Sequence, residues 1–231
     1  MKNGSAPRLI VAVPVKDLTH AKQRLANALM PGERSELARA MLRDVLRALA
    51  GAHMDRVWVV TRDAAAAAIA RELGAEPMSE PENRGHTAAV ALAQAEAARG
   101  GARAFLTVPG DVPCVTSEEL ARMIAAVRDG APVFVPSRSG HGTNGVALMP
   151  PGAMPLTFGE PSFARHLAAA RQRGLEPLVL SLPGLGLDVD SPEDLAALLI
   201  EPTDTETSRL VARWRDRVAL SPAPGQKLPN R

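Results

Sequence analysis

Several residue types are scarce in this chain of 231 residues. It has a single cysteine, Cys114, no tyrosine, and only 3% aromatic residues. One cysteine excludes an internal disulfide, and the His and carboxylate residues show no spacing suited to a zinc cluster. The shortage of aromatics argues against modules that stack nucleic-acid bases on aromatic side chains. With 46% apolar residues, the core must be built mainly from alanine, leucine and valine.

The chain also lacks a strong net charge and a long apolar run. Its 27 basic and 25 acidic residues leave a formal charge of +2, and the basic residues are spread along the chain. We therefore expect no nucleic-acid partner. Residues 1–6 lack the apolar core of a signal peptide, and no stretch approaches the roughly 18 apolar residues of a membrane span. The sequence predicts a cytoplasmic protein without a membrane partner.

Strand-like and helix-like segments alternate along the sequence. The expected strands are 8–13, 56–61, 75–78, 104–109, 132–136, 145–149 and 177–182, and the expected helices are 33–49, 64–73, 87–99, 117–128, 162–173 and 192–200. This alternation predicts an α/β fold whose mainly parallel sheet is covered on both faces. We expect one domain, residues 1–220, and a disordered tail, 221–231, with three prolines.

Two acidic segments follow predicted strands. Asp111 comes after the strand 104–109, and Asp188 and Asp190 come after the strand 177–182. Ligands gather at the carboxyl ends of strands in open α/β sheets, and Mg²⁺ binds to one or two carboxylates plus substrate phosphates. Asp111 and Asp190 are thus candidate metal ligands, although a turn role is equally compatible with either alone. Ser191 instead fits a helix cap, and Thr116 to Glu119 fits a capping box. We interpret Cys114 as a buried residue at a strand end rather than as a nucleophile.

A basic loop follows the first predicted strand. Lys16, Lys22 and Arg24 lie within nine residues of one another, without the glycines of a Walker A or Rossmann loop. Such a cluster is more often a solvated surface. Its position at the carboxyl end of a strand, opposite the acidic segments, favours the interpretation that these basic residues neutralise phosphate charge.

Two segments rich in small residues offer an anion site. The first is Gly140–Asn144, which includes Thr143, and the second runs from Phe158 to Ser162 at the start of a predicted helix. Hydroxyls and helix N–H groups bind phosphate or carboxylate, but Ser162 is almost equally compatible with a plain N-cap. His166 lacks the pattern of an oriented base, so we interpret it as structural.

Five segments taken together resemble a known family. The segments PVKDLTHAKQRL, GDVP, GHGTN, FGEPSFARHLAAA and LGLDVDSPEDL occur in this order over most of residues 8–200. They resemble the 2-phospho-L-lactate guanylyltransferase family of coenzyme F-420 biosynthesis. The resemblance implies a nucleotide-diphospho-sugar transferase fold, similar to glycosyltransferase A, which is a three-layer sandwich with a mixed, mainly parallel sheet.

The resemblance also implies an activity and a set of site residues. The family transfers GMP from GTP to 2-phospho-L-lactate, phosphoenolpyruvate or 3-phospho-D-glycerate and releases pyrophosphate. The implied residues are Asp111 and Asp190 for Mg²⁺ or Mn²⁺, Lys16, Lys22 and Arg24 for catalysis, Thr143, Gly159 and Ser162 for the acid, and Gly85 and Thr87 for the nucleotide. Where relatives commonly have Gly-Leu-Asn-Ala, this chain has Gly85-His-Thr-Ala88.

The expected partners are therefore GTP and a small phosphorylated acid, and the sequence is compatible with a homodimer. Two alternatives stay open at this point. One is another nucleotidyltransferase of this fold, acting on a sugar phosphate, a polyol phosphate or a molybdenum-pterin cofactor. The other is a non-catalytic nucleotide-binding protein on the same scaffold.

Overall fold

The computed structural model describes residues 9–80, 82, 84–127, 130–200 and 203–219. The predicted tail at 221–231 and the ends of two predicted elements, residues 8 and 128, lie outside this part of the chain. The strands are β1 (Leu9–Pro14), β2 (Arg56–Val60), β3 (Glu76–Met78), β4 (Ala104–Thr107), β5 (Val133–Pro136), β6 (Thr143–Leu148) and β7 (Leu178–Val179). The helices are α1 (Pro31–Gly51), α2 (Ala64–Glu72), α3 (His86–Arg99), α4 (Ser117–Ala126), α5 (Ser162–Gln172), α6 (Pro183–Gly186), α7 (Pro192–Ile200), α8 (Glu206–Ala212) and α9 (Arg215–Ala219).

One sheet organises these elements. Its strand order is β3-β2-β1-β4-β6-β5-β7. The pairs β1–β2, β1–β4, β2–β3 and β5–β7 are parallel, whereas β6 runs antiparallel to both β4 and β5. The predicted mixed, mainly parallel sheet is confirmed, and β1 and β4 lie side by side near its centre.

Helices cover both faces of the sheet, which gives the predicted three layers. Because side chains alternate along a strand, Val11 and Val13 pack on one face with α1, α2, α4, α7 and α8, while Ile10 and Ala12 pack on the other with α3 and α5. None of the helices in the described residues is long and apolar enough to cross a membrane.

Two predicted strands differ from the structure. The run 177–182 was expected to form the last core strand, but β7 has only two residues, and Leu178 and Val179 are 42% and 45% exposed. It is one of the two edge strands of the sheet, and among the described residues it pairs only with β5. The last inner strand, β6, begins at Thr143 rather than at residue 145, so Thr143 and Asn144 belong to the sheet instead of the preceding loop.

Candidate active site

A cleft of about 500 Å³ opens at the carboxyl ends of β1 and β4. Its lining includes Lys16, Lys22, His86, Gly110, Asp111 and Asp190. The backbone N–H of Val189 donates to the carbonyl of Asp111 at 3.0 Å, so the two acidic segments lie side by side. The basic loop and both acidic segments therefore meet at one place, as the strand-end argument predicted.

Lys22 is the central charge of this cleft. Its ammonium donates to Asp111 Oδ2 and to Asp190 Oδ1, each at 2.6 Å, and its side chain is only 7% exposed. The backbone of Lys22 adopts the left-handed conformation, φ 56° and ψ 43°, which costs a non-glycine residue roughly 1–2 kcal/mol. Strained residues of this kind persist where the surroundings require them, often at functional sites.

The charges in the cleft control one another's ionisation. Burial opposes the charge on Lys22, but the neighbouring Asp111 and Asp190 more than offset it and raise the pKa of Lys22. Burial likewise opposes ionisation of Asp111, yet the charge and hydrogen bond of Lys22 hold the pKa of Asp111 below its usual value. Lys22 is thus held as an ammonium and Asp111 as a carboxylate at neutral pH.

Asp188 is a third carboxyl group close to this pair. Burial raises its pKa, and the negative charges of Asp111 and Asp190 act in the same direction. A hydrogen bond from Asn144 Nδ2, at 3.0 Å, opposes this shift and holds the carboxyl group in place. Asp188 is consequently a third carboxyl group that can carry negative charge beside Lys22, Asp111 and Asp190.

The donor set fits a hard cation. Oxygens of Asp111 and Asp190 already converge on one positive atom, and carboxylate oxygens are the ligands preferred by Mg²⁺ and Mn²⁺. Within the described residues there is no group of three His, Cys, Asp or Glu side chains arranged as a metal site. A divalent ion at this pair would therefore need further oxygens from a substrate.

The other two cations of the basic loop lie in different places. Lys16 is exposed at the cleft, and its ammonium is 3.9 Å from the position that a Cβ would take at Gly85. Arg24 lies in the short 3₁₀ helix Gln23–Leu25, is exposed, and is not part of the cleft lining. Proximity in sequence thus brings Lys16 and Lys22, but not Arg24, into one site.

The start of α3 supplies another wall of the cleft. Gly85 precedes the helix with φ +92°, a conformation that side chains rarely adopt, and His86 then lines the cleft. The His86 ring lies 4.3 Å from the Phe158 ring, centroid to centroid. Burial lowers the pKa of His86 to about 4, an effect that Asp111 opposes and Lys16 reinforces, so His86 is neutral at pH 7.

Thr87 joins α3 to the segment that begins at Phe158. Its hydroxyl oxygen accepts the N–H of Phe158 at 2.9 Å, and the same hydroxyl donates to the Phe158 carbonyl at 3.4 Å. Gly159 follows with φ +97°, and its carbonyl accepts a hydrogen bond from Arg165. The side chain of Thr87 is therefore engaged with the predicted acid-binding segment, while its predicted contact with the nucleotide stays a prediction.

Thr143, Ser162 and His166 form one buried cluster. Ser162 Oγ donates to Thr143 Oγ1 at 3.1 Å, and His166 Nδ1 lies 3.0 Å from the same oxygen. The alternative interpretation of Ser162 as an N-cap is wrong, because Pro161 holds that position and Ser162 is the first residue of α5. His166 is 1% exposed, in keeping with the structural role predicted for it.

The remaining cap and cysteine predictions are confirmed. Thr116 and Glu119 form the capping box of α4, and Ser191 Oγ accepts the N–H of Asp194 at the start of α7. Cys114 is buried, its thiol lies 3.7 Å from Thr203 Oγ1, and burial raises its pKa. A thiol with a raised pKa is a poor nucleophile, so Cys114 has no catalytic character.

Sequence reasoning missed two contributors to the site. His86 was noted only as a departure from the usual sequence of relatives, and Asn144 only as a member of a segment rich in small residues. In the structure His86 lines the cleft, and the Asn144 amide binds Asp188 and the carbonyls of Leu185 and Gly186. The only local signal for His86 was its position at the start of a helix that follows the end of a strand.

Comparison with known proteins identifies the family of the chain. The family described as "Guanylyl transferase CofC like" matches residues 9–228. A phosphoenolpyruvate guanylyltransferase of Rubrobacter xylanophilus is 41% identical over 191 residues, which are 82% of this chain and 93% of that protein. A protein of the same name from Roseiflexus castenholzii is 41% identical over 208 residues, 89% of this chain and 95% of the relative.

Solved structures support the fold. A Desulfovibrio desulfuricans G20 protein assigned to the nucleotide-diphospho-sugar transferases superposes with a TM-score of 0.75 and 16% identity, covering 92% of this chain and 97% of that one. A cytidylyltransferase from Leptospira borgpetersenii gives a TM-score of 0.58 and 12% identity, covering 97% and 100%. The sheet therefore has the nucleotide-diphospho-sugar transferase architecture, and the chain belongs to the CofC-like guanylyl transferases, which are nucleotidyltransferases.

Proposed function

We propose that this enzyme transfers GMP from GTP to a three-carbon phosphorylated carboxylic acid, with phosphoenolpyruvate as the first candidate, in coenzyme F-420 biosynthesis. A phosphate oxygen of the acid attacks the α-phosphorus of GTP, and the bond from that phosphorus to the β-phosphate oxygen breaks. Pyrophosphate leaves with the bonding electrons. The acceptor phosphate is already anionic, so the reaction needs no general base.

The observation that supports the proposal is the arrangement of charges around Lys22. Its ammonium lies between Asp111 and Asp190 at the carboxyl ends of the parallel strands β1 and β4, where two polyanions would have to meet. In this role Lys22 offsets charge on the departing pyrophosphate, and Lys16 does so from the rim of the cleft. A protein that only bound a nucleotide would have little use for such neutralisation.

Asp111 and Asp190 would hold Mg²⁺ or Mn²⁺. Such an ion supplies charge neutralisation and polarises the α-phosphate. Asp188 lies close to the same pair and would increase the negative charge that attracts the ion. Gly85 and Thr87, at the start of α3, are the proposed nucleotide-side residues, and neutral His86 adds a ring and a hydrogen-bonding group beside them.

Thr143, Gly159 and Ser162 would hold the acid. These residues adjoin the cleft through Phe158, whose ring contacts both His86 and His166. The names of the curated relatives favour phosphoenolpyruvate. We keep 2-phospho-L-lactate and 3-phospho-D-glycerate as competitors, because all three acids present a phosphate and a carboxylate on a three-carbon frame.

A substrate panel tests the proposal. The protein is incubated with Mg²⁺, GTP and each of the three acids or a sugar phosphate, and pyrophosphate release is followed, with ATP and CTP as alternative donors. We expect release with GTP and phosphoenolpyruvate, and little with the other nucleotides. Release only with a sugar phosphate would favour another nucleotidyltransferase activity, and comparable turnover with ATP would contradict the guanylyl assignment.

A further inference from the structure

His166 is a buried histidine whose protonation state can be read from its surroundings. The backbone N–H of Thr157 points at His166 Nε2, 3.0 Å away. A backbone N–H can only donate, so Nε2 is the acceptor and carries no proton. Burial lowers the pKa of His166 to about 4, and the ring is neutral at pH 7. The single ring proton must then be on Nδ1.

This tautomer makes His166 a donor to Thr143. His166 Nδ1 lies 3.0 Å from Thr143 Oγ1, and the Ser162 hydroxyl donates to the same oxygen at 3.1 Å. A hydroxyl oxygen has two acceptor sites and one proton. Both acceptor sites of Thr143 are thus occupied, and its own proton must point away from His166 and Ser162.

The Thr143 proton has no acceptor among the described residues. In the part of the chain that the structure describes, the Thr143 hydroxyl makes the two hydrogen bonds given above, and it is the acceptor in both. A buried hydroxyl proton without an acceptor is unfavourable, so a partner from outside the protein would be bound well. Only groups with a lone pair, such as a carboxylate or phosphate oxygen, can take that place.

A β-bulge aims Thr143 toward this cluster. In the pairing of β5 with β6, Asn144 is an extra residue between the paired positions Gly145 and Thr143. Asn144 and Gly145 both face Leu185: the Asn144 amide donates to its carbonyl at 3.1 Å, and a Cβ at Gly145 would lie 2.8 Å from its side chain. Thr143 points instead to His166, on the opposite face. Bulges commonly redirect side chains beside active sites.

We infer that His166 is a positioning residue that fixes the Thr143 hydroxyl as a hydrogen-bond donor to an anionic oxygen of the acid substrate. This inference rests on the proposed role of Thr143 in binding the acid. It assigns His166 a specific part in acid binding, because a Thr143 hydroxyl with both acceptor sites filled can only donate, and it then pairs with an oxygen that has a lone pair and not with a group that only donates, such as an ammonium. His166 does not itself touch the substrate.

The tautomer can be measured without any turnover. Long-range ¹H–¹⁵N correlation spectra of the intact protein at pH 7, assigned with His166→Phe, distinguish a protonated Nδ1 from a protonated Nε2. We expect His166 to show the Nδ1-protonated neutral form. A ring protonated at Nε2, or at both nitrogens, would overturn the inference whether or not the proposed reaction is found.

Kinetics then test the role of that tautomer. His166→Phe keeps an aromatic ring between Phe134 and Phe158 but removes the donor, whereas His166→Asn keeps a donor near the Nδ1 position and loses the ring. We expect His166→Phe to raise the KM for phosphoenolpyruvate about tenfold and to change the KM for GTP less than twofold. His166→Asn should recover part of the loss, although it packs less well.

The control is Thr143→Val, which keeps the β-branched shape without the hydroxyl. In that background His166→Phe should add no further rise in the KM for the acid, since the group it positions is gone. A purely structural role would raise both KM values together, in proportion to the loss in Tm, with His166→Asn worse than His166→Phe. That pattern contradicts the inference, whereas a wild-type protein inactive on every acid contradicts the proposed function.

Discussion

The backbone N–H of Val189 donates a hydrogen bond to the backbone carbonyl of Asp111. This bond is made by main-chain atoms, so it holds the two acidic segments together whatever side chains they carry. The carboxylates of Asp111 and Asp190 reach Lys22 from segments that are already in place. Substitution of either carboxylate should accordingly change the charge of the site more than its geometry.

The first prediction concerns Asp111→Asn, which removes one charge with little change in volume. We expect kcat/KM for pyrophosphate release to fall by roughly a hundredfold or more, since a group that stabilises charge in the transition state is lost. Circular dichroism should show an intact fold, because Lys22 still pairs with Asp190. The matched control is Asp216→Asn, an exposed position in α9. Near-normal turnover of Asp111→Asn at low Mg²⁺ would exclude Asp111 as a metal ligand.

The second prediction concerns Lys22→Met, which leaves two carboxylates facing each other without their shared cation. Without divalent ions we expect Tm to fall by several degrees, since each kcal/mol lost lowers the Tm of a chain of this size by roughly 2–4 °C. Mg²⁺ should raise the Tm of Lys22→Met more than that of the wild type, because no ammonium competes for the carboxylates.

Differential scanning fluorimetry with and without Mg²⁺ measures this difference. Lys16→Met is the matched comparison, because Lys16 is exposed and does not bridge Asp111 and Asp190. It should respond to Mg²⁺ as the wild type does. An equal Mg²⁺ response in Lys22→Met and the wild type would show that the ion binds elsewhere.

The third prediction separates two roles for Thr87. Thr87→Val removes the hydroxyl that binds both backbone groups of Phe158. We expect a several-fold rise in the KM for the acid, because the Gly159 segment loses its attachment to α3, and a smaller rise in the KM for GTP, because Thr87 is also a proposed nucleotide-side residue. Thr87→Ser retains the hydroxyl and should restore both wild-type values. If steady-state kinetics show a rise in the KM for the acid alone, Thr87 acts only through the Gly159 segment, and a rise in the KM for GTP alone would show that its contact with the nucleotide is the one that matters.

The fourth prediction concerns stability at mildly acidic pH. Burial, reinforced by Arg165, lowers the pKa of His166 to about 4, below the ordinary value of 6.5. Between these values the unfolded chain binds a proton that the folded chain does not, so stability is complete above pH 6.5 and falls as the pH drops toward 4. The loss from His166 approaches about 1.4 kcal/mol per pH unit.

Urea unfolding at pH 7.5, 6.0 and 5.0 measures this dependence. His166→Phe should lose less stability over that range than the wild type. His86, whose pKa is also about 4, accounts for part of the pH dependence that remains in this variant. Asp111, with its lowered pKa, contributes at still lower pH, when its carboxylate becomes protonated. Equal slopes for the wild type and His166→Phe would show that His166 takes up protons as readily in the folded state as in the unfolded state.

Local patterns in the sequence predicted much of the architecture. The apolar run before Asp111 predicted β4, and the capping box at Thr116 marked the start of α4. These signals are local, because strand alternation, helix periodicity and caps involve residues a few positions apart. The expectation that Asp111, Asp190 and Lys22 meet at one edge followed from the single rule that parallel strands carry their ligands at their carboxyl ends.

Tertiary structure decided which partners the polar groups found. Lys22 pairs with residues 89 and 168 positions away, while Arg24, two residues further along, faces solvent. Ser162 could have capped its own helix, but Pro161 holds the N-cap position, and the Ser162 hydroxyl donates to Thr143 Oγ1 instead. A side chain forms hydrogen bonds with residues that are close to it in space. Those residues cannot be identified from the periodicity of the sequence. The order of strands and helices in this protein could therefore be predicted from its sequence. Which charged groups pair, and the direction in which the Thr143 hydroxyl proton points, depend on the folded structure.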